Sequence, residues 1–141
     1  MYEIKGVNEK NMHEVEAFLN EVPSINDIDM KIIMNASLLY ENEKIAGIIS
    51  YEPFAKYALI RYFIFKRDIS EFVVRELFSD LVAKIKNLGI LYLFSLVNEE
   101  AIKNLFLSLD FYEISEEKIF IEEKSFTDFK VKDAKLMIKN L

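Results

Sequence analysis

"ALIRYFIFKRDISEFVVRELFSDLVAKIKNLGILYLFSLV", residues 58–97, is the stretch whose reading decides the fold. Its opening, through Phe65, is almost continuously apolar, as a central strand buried on both faces would be. Val74, Leu77, Phe78, Leu81, Val82, Ile85 and Leu88 then recur at the spacing of one helix face, and Gly89 fits the position just past a helix end. Residues 90–97, "ILYLFSLV", read as a second buried strand. Between strand and helix lies "KRDIS". A helix N-terminus offers free N–H groups and a positive dipole end, so such a junction suits a phosphate. Glycines usually let backbone approach the phosphate there, and this loop has none.

Working outward, "YEIKGV" reads as a short strand, and Met12, Val15, Phe18, Leu19 and Val22 define a first helix with Asn8 as candidate N-cap and Pro23 as terminator. Residues 24–36, with Ile25, Ile28, Ile32 and Ile33, supply a second helix or a helical loop. Leu38–Glu41 and Ile45–Tyr51 are the arms of a hairpin with Asn42 and Glu43 at its turn. Beyond residue 97, Asn98 is placed to cap a helix carrying Ala101, Leu105 and Leu109 on one side. "FYEIS" and "KIFIEEK" look like a closing hairpin around Glu116 and Glu117. Val131, Ala134, Ile138 and Leu141 predict an amphipathic final helix over about 129–141, flanked by lysines that pack on the domain or dock on a partner. The order β-α-α-β-β-β-α-β-α-β-β-α gives an α+β layout around one mixed sheet.

The chain has 141 residues, 52% of them hydrophobic and 13% aromatic, enough for one domain with a real core. A formal net charge of −6 disfavours a nucleic-acid binder. Absence of cysteine removes disulfides, thiol catalysis and cysteine metal sites. The charged start and the lack of a long apolar run predict a cytoplasmic protein with no membrane span. His13 stands alone and no metal site is expected; Ser50, Ser70, Ser79 and Ser95 lack a nucleophile-elbow context.

Specific stretches resemble the GNAT superfamily of acyl-CoA-dependent N-acyltransferases. "LLYENEKIAGIIS" is similar to the family's second and third strands, with Gly47 at its glycine; residues 58–97 match its core strand, pyrophosphate loop, helix and next strand; "NEEAIKNLFLSLDFYEI" is similar to its Asn-x-x-Ala helix leading into Gly-Phe. The resemblance covers residues 2–124 of a single domain spanning 1–141, with the final helix beyond it. The family's loop runs hydrophobe-x-Pro-x-x-Arg-Gly-x-Gly-x-Gly. Here Ile64 holds the hydrophobe, Lys66 the proline, Ile69 the arginine, and Ser70, Phe72 and Val74 the glycines. The family's glycine before Phe111 is Asp110, and its catalytic tyrosine falls on Phe106 or Leu105, neither with a proton to give.

The resemblance implies acetyl-CoA or another acyl-CoA, its pantetheine held by backbone groups of Phe63, Ile64 and Phe65. Its pyrophosphate would rest on the backbone of Ile69, Ser70, Glu71, Phe72, Val73 and Val74. Glu52 is the candidate general base for a small-molecule or peptide amine, and Arg61 is the candidate partner of a carboxylate or acidic ligand group. Glu21, Asp27 and Asp29 lie where many family members shape the acceptor site. Two readings follow: an active N-acyltransferase, or a catalytically inactive module of the same fold acting through a homodimer or protein partner.

Overall fold

The computed structural model describes residues 1–23, 28–97, 99–114, 120–121, 124–125 and 135–141. The elements run β1 (Tyr2–Gly6), α1 (Met12–Asn20), α2 (Met30–Ile33), β2 (Ser37–Glu41), β3 (Lys44–Phe54), β4 (Tyr57–Phe65) and α3 (Glu71–Asn87). They continue as β5 (Tyr92–Val97), α4 (Glu100–Ser108), β6 (Tyr112–Glu113), β7 (Phe120–Ile121), β8 (Lys124–Ser125) and β9 (Lys135–Asn140). A seven-stranded sheet has the order β1-β2-β3-β4-β5-β9-β6, and β7 pairs with β8 apart from it. The β4–β5 ladder is parallel and joins Tyr57, Ala58 and Leu59 to Tyr92, Leu93 and Phe94, whereas β1–β2, β2–β3, β5–β9 and β6–β9 are antiparallel. The expected mixed-sheet α+β class is thus observed.

The chain forms two compact units, Met1–Glu52 with Arg61–Ala83, and Pro53–Ile60 with Lys84–Leu141. In the first, Val15, Phe18 and Leu19 of α1 join Ile33, Ala36, Leu38, Tyr40, Ile45 and Ile48 in one core. The hairpin turns where expected: Asn42 and Glu43 have φ of 50° and 70°, the paired left-handed residues of a turn whose twist matches its strands. The helix cap moves, however. Asn11 precedes α1, while the Asn8 side chain accepts from the N–H groups of Lys10 and Asn11 in a local turn. The helix stops at Asn20, short of Pro23.

Of the α3 stripe, Val74, Leu77, Phe78, Leu81 and Ile85 are buried, Val82 is half-buried and Leu88 is exposed. Gly89, with φ of +80°, supplies the left-handed residue that ends the helix. On α4 the buried side is also shifted: Phe106 and Leu109 are buried, Leu105 is half-buried and Ala101 is exposed. The proposed cap Asn98 and the turn at Glu116 and Glu117 lie outside the described residues.

Two expectations about the C-terminal part are corrected. Residues 135–140 are a strand rather than the end of a helix, lying between β5 and β6 with Leu136, Met137 and Ile138 all buried. Lys, Leu and Met have good helix propensity, but β5 presents a row of backbone groups that β9 satisfies residue by residue from Tyr92–Asn140 to Val97–Lys135. The partner of "FYEIS" is likewise β9, through Tyr112–Ile138 and Glu113–Met137, while Phe120–Ile121 of "KIFIEEK" pairs with Lys124–Ser125. The second unit's core gathers Phe54, Leu59, Phe94, Leu136 and Ile138. Tyr57 stacks on Tyr92 at 5.4 Å and on Phe94 at 5.2 Å.

Candidate active site

The candidate residues of the first unit fall on β3, the second half of β4, the following loop and the start of α3. Glu52 and Arg61 meet: the Arg61 guanidinium donates to a Glu52 carboxylate oxygen at 2.7 Å, both side chains half-exposed. The candidate base therefore already holds a cation. That engages one carboxylate oxygen in a short charge-assisted bond.

Strand alternation would send Arg61 and Tyr62 to opposite faces, but Tyr62 has φ of 52°. An aromatic residue at positive φ is a genuine outlier, sustained only where its surroundings fix it. Here they do. The Tyr62 ring packs with Ile64 against the α1–β2–β3 core, its hydroxyl accepts the Asp29 N–H at 2.9 Å, and the Arg61 guanidinium lies 5.9 Å from its centroid. Asp29, expected near an acceptor site, uses its carboxylate to cap α2 through the Lys31 N–H. Tyr51, next to Glu52, is buried, and burial raises its hydroxyl pKa above the ordinary 10.0.

Phe63, Ile64 and Phe65 are half-buried. Phe63 and Phe65 meet edge to face at 5.1 Å, and the Lys66 N–H closes the strand end on the Ala46 carbonyl at 2.8 Å. Gly47 gains a physical role: a Cβ there would stand 2.5 Å from the Phe65 ring, so the aromatic ring occupies space that only glycine leaves.

The loop turns at Asp68, whose φ is 68°. Ser70 precedes α3 and caps it: its Oγ accepts from the Val73 N–H at 3.3 Å, and its carbonyl accepts from Val73 and Val74, each at 3.1 Å. The expected phosphate-facing amides therefore divide. Those of Val73 and Val74 are engaged within the helix start, and their side chains are buried at 7% and 8% exposure. Glu71 and Phe72 occupy the first turn, where helix geometry leaves N–H groups without an intrahelical acceptor. Phe72 points to solvent at 68% exposure. Glu71 places a carboxylate beside that turn and pairs with Arg75 at 3.0 Å.

Lys66 and Arg67 are exposed cations in the same loop. A pair of cations shortly before a helix N-terminus is legible in the sequence itself. A separate cleft of about 250 Å³ in this unit is bordered by Glu14, Phe18, Glu21, Glu43, Lys44 and Lys66. It takes in Glu21 of the expected acidic run; Asp27 lies outside the described residues. In the second unit Phe106, one of the two positions (with Leu105) that the resemblance sets at the family's tyrosine, is 1% exposed and packs edge to face on Phe111 at 4.8 Å, a core contact.

No protein-family model and no curated protein sequence matches the chain. Solved structures do. N-acetylglutamate synthase from Neisseria gonorrhoeae, complexed with coenzyme A and N-acetyl-glutamate, superposes with a TM-score of 0.81 at 14% identity over 100% of this chain and 35% of that one. This chain thus spans about a third of that enzyme's length. A GNAT-family acetyltransferase from Streptococcus pneumoniae matches with a TM-score of 0.73 at 22% identity over 100% of both chains. The ribosomal-protein-S18-alanine N-acetyltransferase from Escherichia coli matches with a TM-score of 0.72 at 16% identity, over 99% of this chain and 94% of that one. The chain has the GNAT acetyltransferase fold. Among the described residues, no helix is long and apolar enough to cross a membrane.

Proposed function

We propose that this chain is an acyl-CoA-dependent N-acyltransferase, moving an acetyl group from acetyl-CoA to a primary amine. The carrying observation is the junction of β4 and α3: a strand with positive φ at Tyr62, two loop cations and a Ser70-capped helix start, in a fold shared with enzymes solved with coenzyme A. Glu71 and Phe72 would offer their N–H groups to the pyrophosphate, with Lys66 and Arg67 adding charge. The amine nitrogen attacks the thioester carbonyl carbon, the C–N bond forms, the C–S bond breaks, and the sulfur leaves as thiolate. Glu52, directly or through water, takes the ammonium proton, while Arg61 fixes its carboxylate. With Phe106 in the core, water takes the second proton from the acylated nitrogen and passes one to the thiolate, and positioning supplies most of the rate. The acceptor is a cationic amine, which suits a chain of net charge −6.

A second reading, a binding module without catalysis, is favoured by a specific observation: the Val73 and Val74 amides are spent in the cap, and Glu71 sets a negative charge beside the remaining ones. The thermal midpoint with and without acetyl-CoA, coenzyme A and desulfo-coenzyme A separates the two. A ligand at 100 times its Kd adds about 2.7 kcal/mol, a rise of several degrees. A rise followed by thiol release with an amine panel supports the enzyme. A rise without turnover supports the module, and no rise with a folded protein sinks acyl-CoA dependence.

A further inference from the structure

The edge strand β1 carries an inference independent of the acyltransferase reading. It lies at one end of the seven-stranded sheet, all five of its residues, Tyr2–Gly6, are exposed, and among the described residues its ladder is to β2 alone. Such an edge presents a row of backbone donors and acceptors to any strand that matches it.

Its outward-facing groups follow from the register. The Asn42 N–H donates to the Met1 carbonyl at 3.2 Å, next to the pairs Tyr2–Glu41, Glu3–Tyr40, Ile4–Leu39 and Lys5–Leu38. Antiparallel pairs alternate between exchanging hydrogen bonds and not, so Glu3 and Lys5 bond inward to β2. Tyr2, Ile4 and Gly6 turn their N–H and C=O groups away from the sheet. The Gly6 carbonyl accepts from Asn11 Nδ2 at 3.0 Å and has a second lone pair left.

We propose that β1 pairs antiparallel with β1 of a second copy of this chain, about a two-fold axis at Ile4, extending the sheet across a homodimer. The parity fits: with the axis at Ile4 the outward-turned residues Tyr2, Ile4 and Gly6 form the hydrogen-bonded pairs, whereas an axis at Glu3 or Lys5 sets that residue's charge against its own copy. Ile4 then exchanges both hydrogen bonds with Ile4 of the second copy, and Tyr2 stands opposite Gly6. Glu3 falls opposite Lys5 twice, in the close non-hydrogen-bonded pairs where opposite charges attract most strongly. The exposed side chains of Tyr2 and Ile4, at 40% and 36%, gain cover: Ile4 meets its own copy, and the Tyr2 ring lies over a glycine, a pairing that protects glycine backbone in sheets. Shifting the centre to Tyr2 or Gly6 unmatches the charges, and parallel pairing in register sets Glu3 against Glu3. The sequence Tyr-Glu-Ile-Lys-Gly is thus complementary to itself in one arrangement.

A five-residue ladder buries little area, so the dimer belongs with weak assemblies. Sedimentation velocity of the full chain from micromolar to millimolar concentration should show mass rising from the 16.6 kDa monomer toward twice that value. Glu3→Lys alone and Lys5→Glu alone set like charges opposite and should each remain monomeric. Their equimolar mixture should form the heterodimer, and the double variant should dimerise as the unaltered chain does. Ile4→Pro deletes an N–H that the monomer does not use, a substitution edge strands accept, and should abolish dimerisation with the thermal midpoint kept. A monomer at millimolar concentration overturns the proposal. So does a dimer indifferent to both single charge changes, or a double variant no better than the singles.

Discussion

Two junctions that the resemblance sets at glycine positions of the family's pattern carry other residues here, and their backbones behave in opposite ways. At the end of α4, Asp110 stands where the pattern has glycine and keeps its conformation, with φ of 70°. Aspartate tolerates the left-handed region better than most residues, while Lys139 donates to the Leu109 carbonyl at 3.0 Å and lies 3.8 Å from the largely exposed Asp110 carboxylate. At the start of α3, Ser70, Phe72 and Val74 do not keep a glycine conformation; the left-handed residue of that loop is Asp68. Ser70 becomes a cap, Phe72 faces solvent and Val74 joins the core. A glycine needed for its backbone angle can be replaced by a residue that adopts the angle. One needed so that a ligand can come close is replaced only by changing what the loop offers. Gly47 is the third case, retained because the Phe65 ring fills the space a Cβ would take.

That contrast can be broken, starting with its largest effect. Gly47→Val forces a side chain into the Phe65 ring and should cost about 1–3 kcal/mol, as overpacking does. Adding Phe65→Ala should recover part of that loss, read as less-than-additive changes in urea midpoint. If Gly47→Val leaves stability unchanged, closeness is not why glycine stands there.

Ser70→Ala removes the cap of α3 and should cost about 1 kcal/mol, whereas Ser70→Gly should cost only a few tenths. Equal losses would show that the hydroxyl contributes nothing and that the serine is a spent glycine position. Asp110→Gly should instead stabilise by about 0.5–1 kcal/mol, since glycine takes positive φ without penalty and the Lys139 contact is too exposed to matter much. A destabilised Asp110→Gly would mean that the aspartate is held for its charge.

The smallest expected effect is electrostatic. Glu113 pairs with Lys103 at 3.0 Å and Lys135 at 3.4 Å. The Lys103 hydrogen bond is the first cause lowering its pKa below the ordinary 4.5, and the same bond raises that of Lys103 above 10.5. A depressed carboxylate pKa stabilises the fold above the unfolded value, and that contribution fades as pH falls below about 4.5 through the folded value. A raised lysine pKa contributes fully below 10.5 and fades as pH rises through its folded value. Carboxyl NMR titration of Glu113 beside Lys103→Met should show the pKa moving back up; no movement would deny the pair.

What the sequence determined by itself is what local pattern carries. Helix α3 and its Gly89 stop, the Asn42–Glu43 turn and the apolar strands flanking α3 were legible because each depends on spacing or a backbone angle within a few residues. The resemblance of residues 58–97 was legible for the same reason, and with it the fold. The pairing of Glu52 with Arg61 could be anticipated only as a charge needing a partner, and adjacency of β3 and β4 supplied one. Tertiary structure alone decided the rest. The lysine-rich end of the chain has a helical period in isolation, yet residues 135–140 become a strand because β5 offers a complete ladder of backbone partners, and six residues of sequence cannot encode a neighbour. The left-handed backbone of Tyr62 and the packing of Phe106 are of the same kind. Both result from contacts across the fold, where burial and hydrogen bonding outweigh the preferences of the residues themselves.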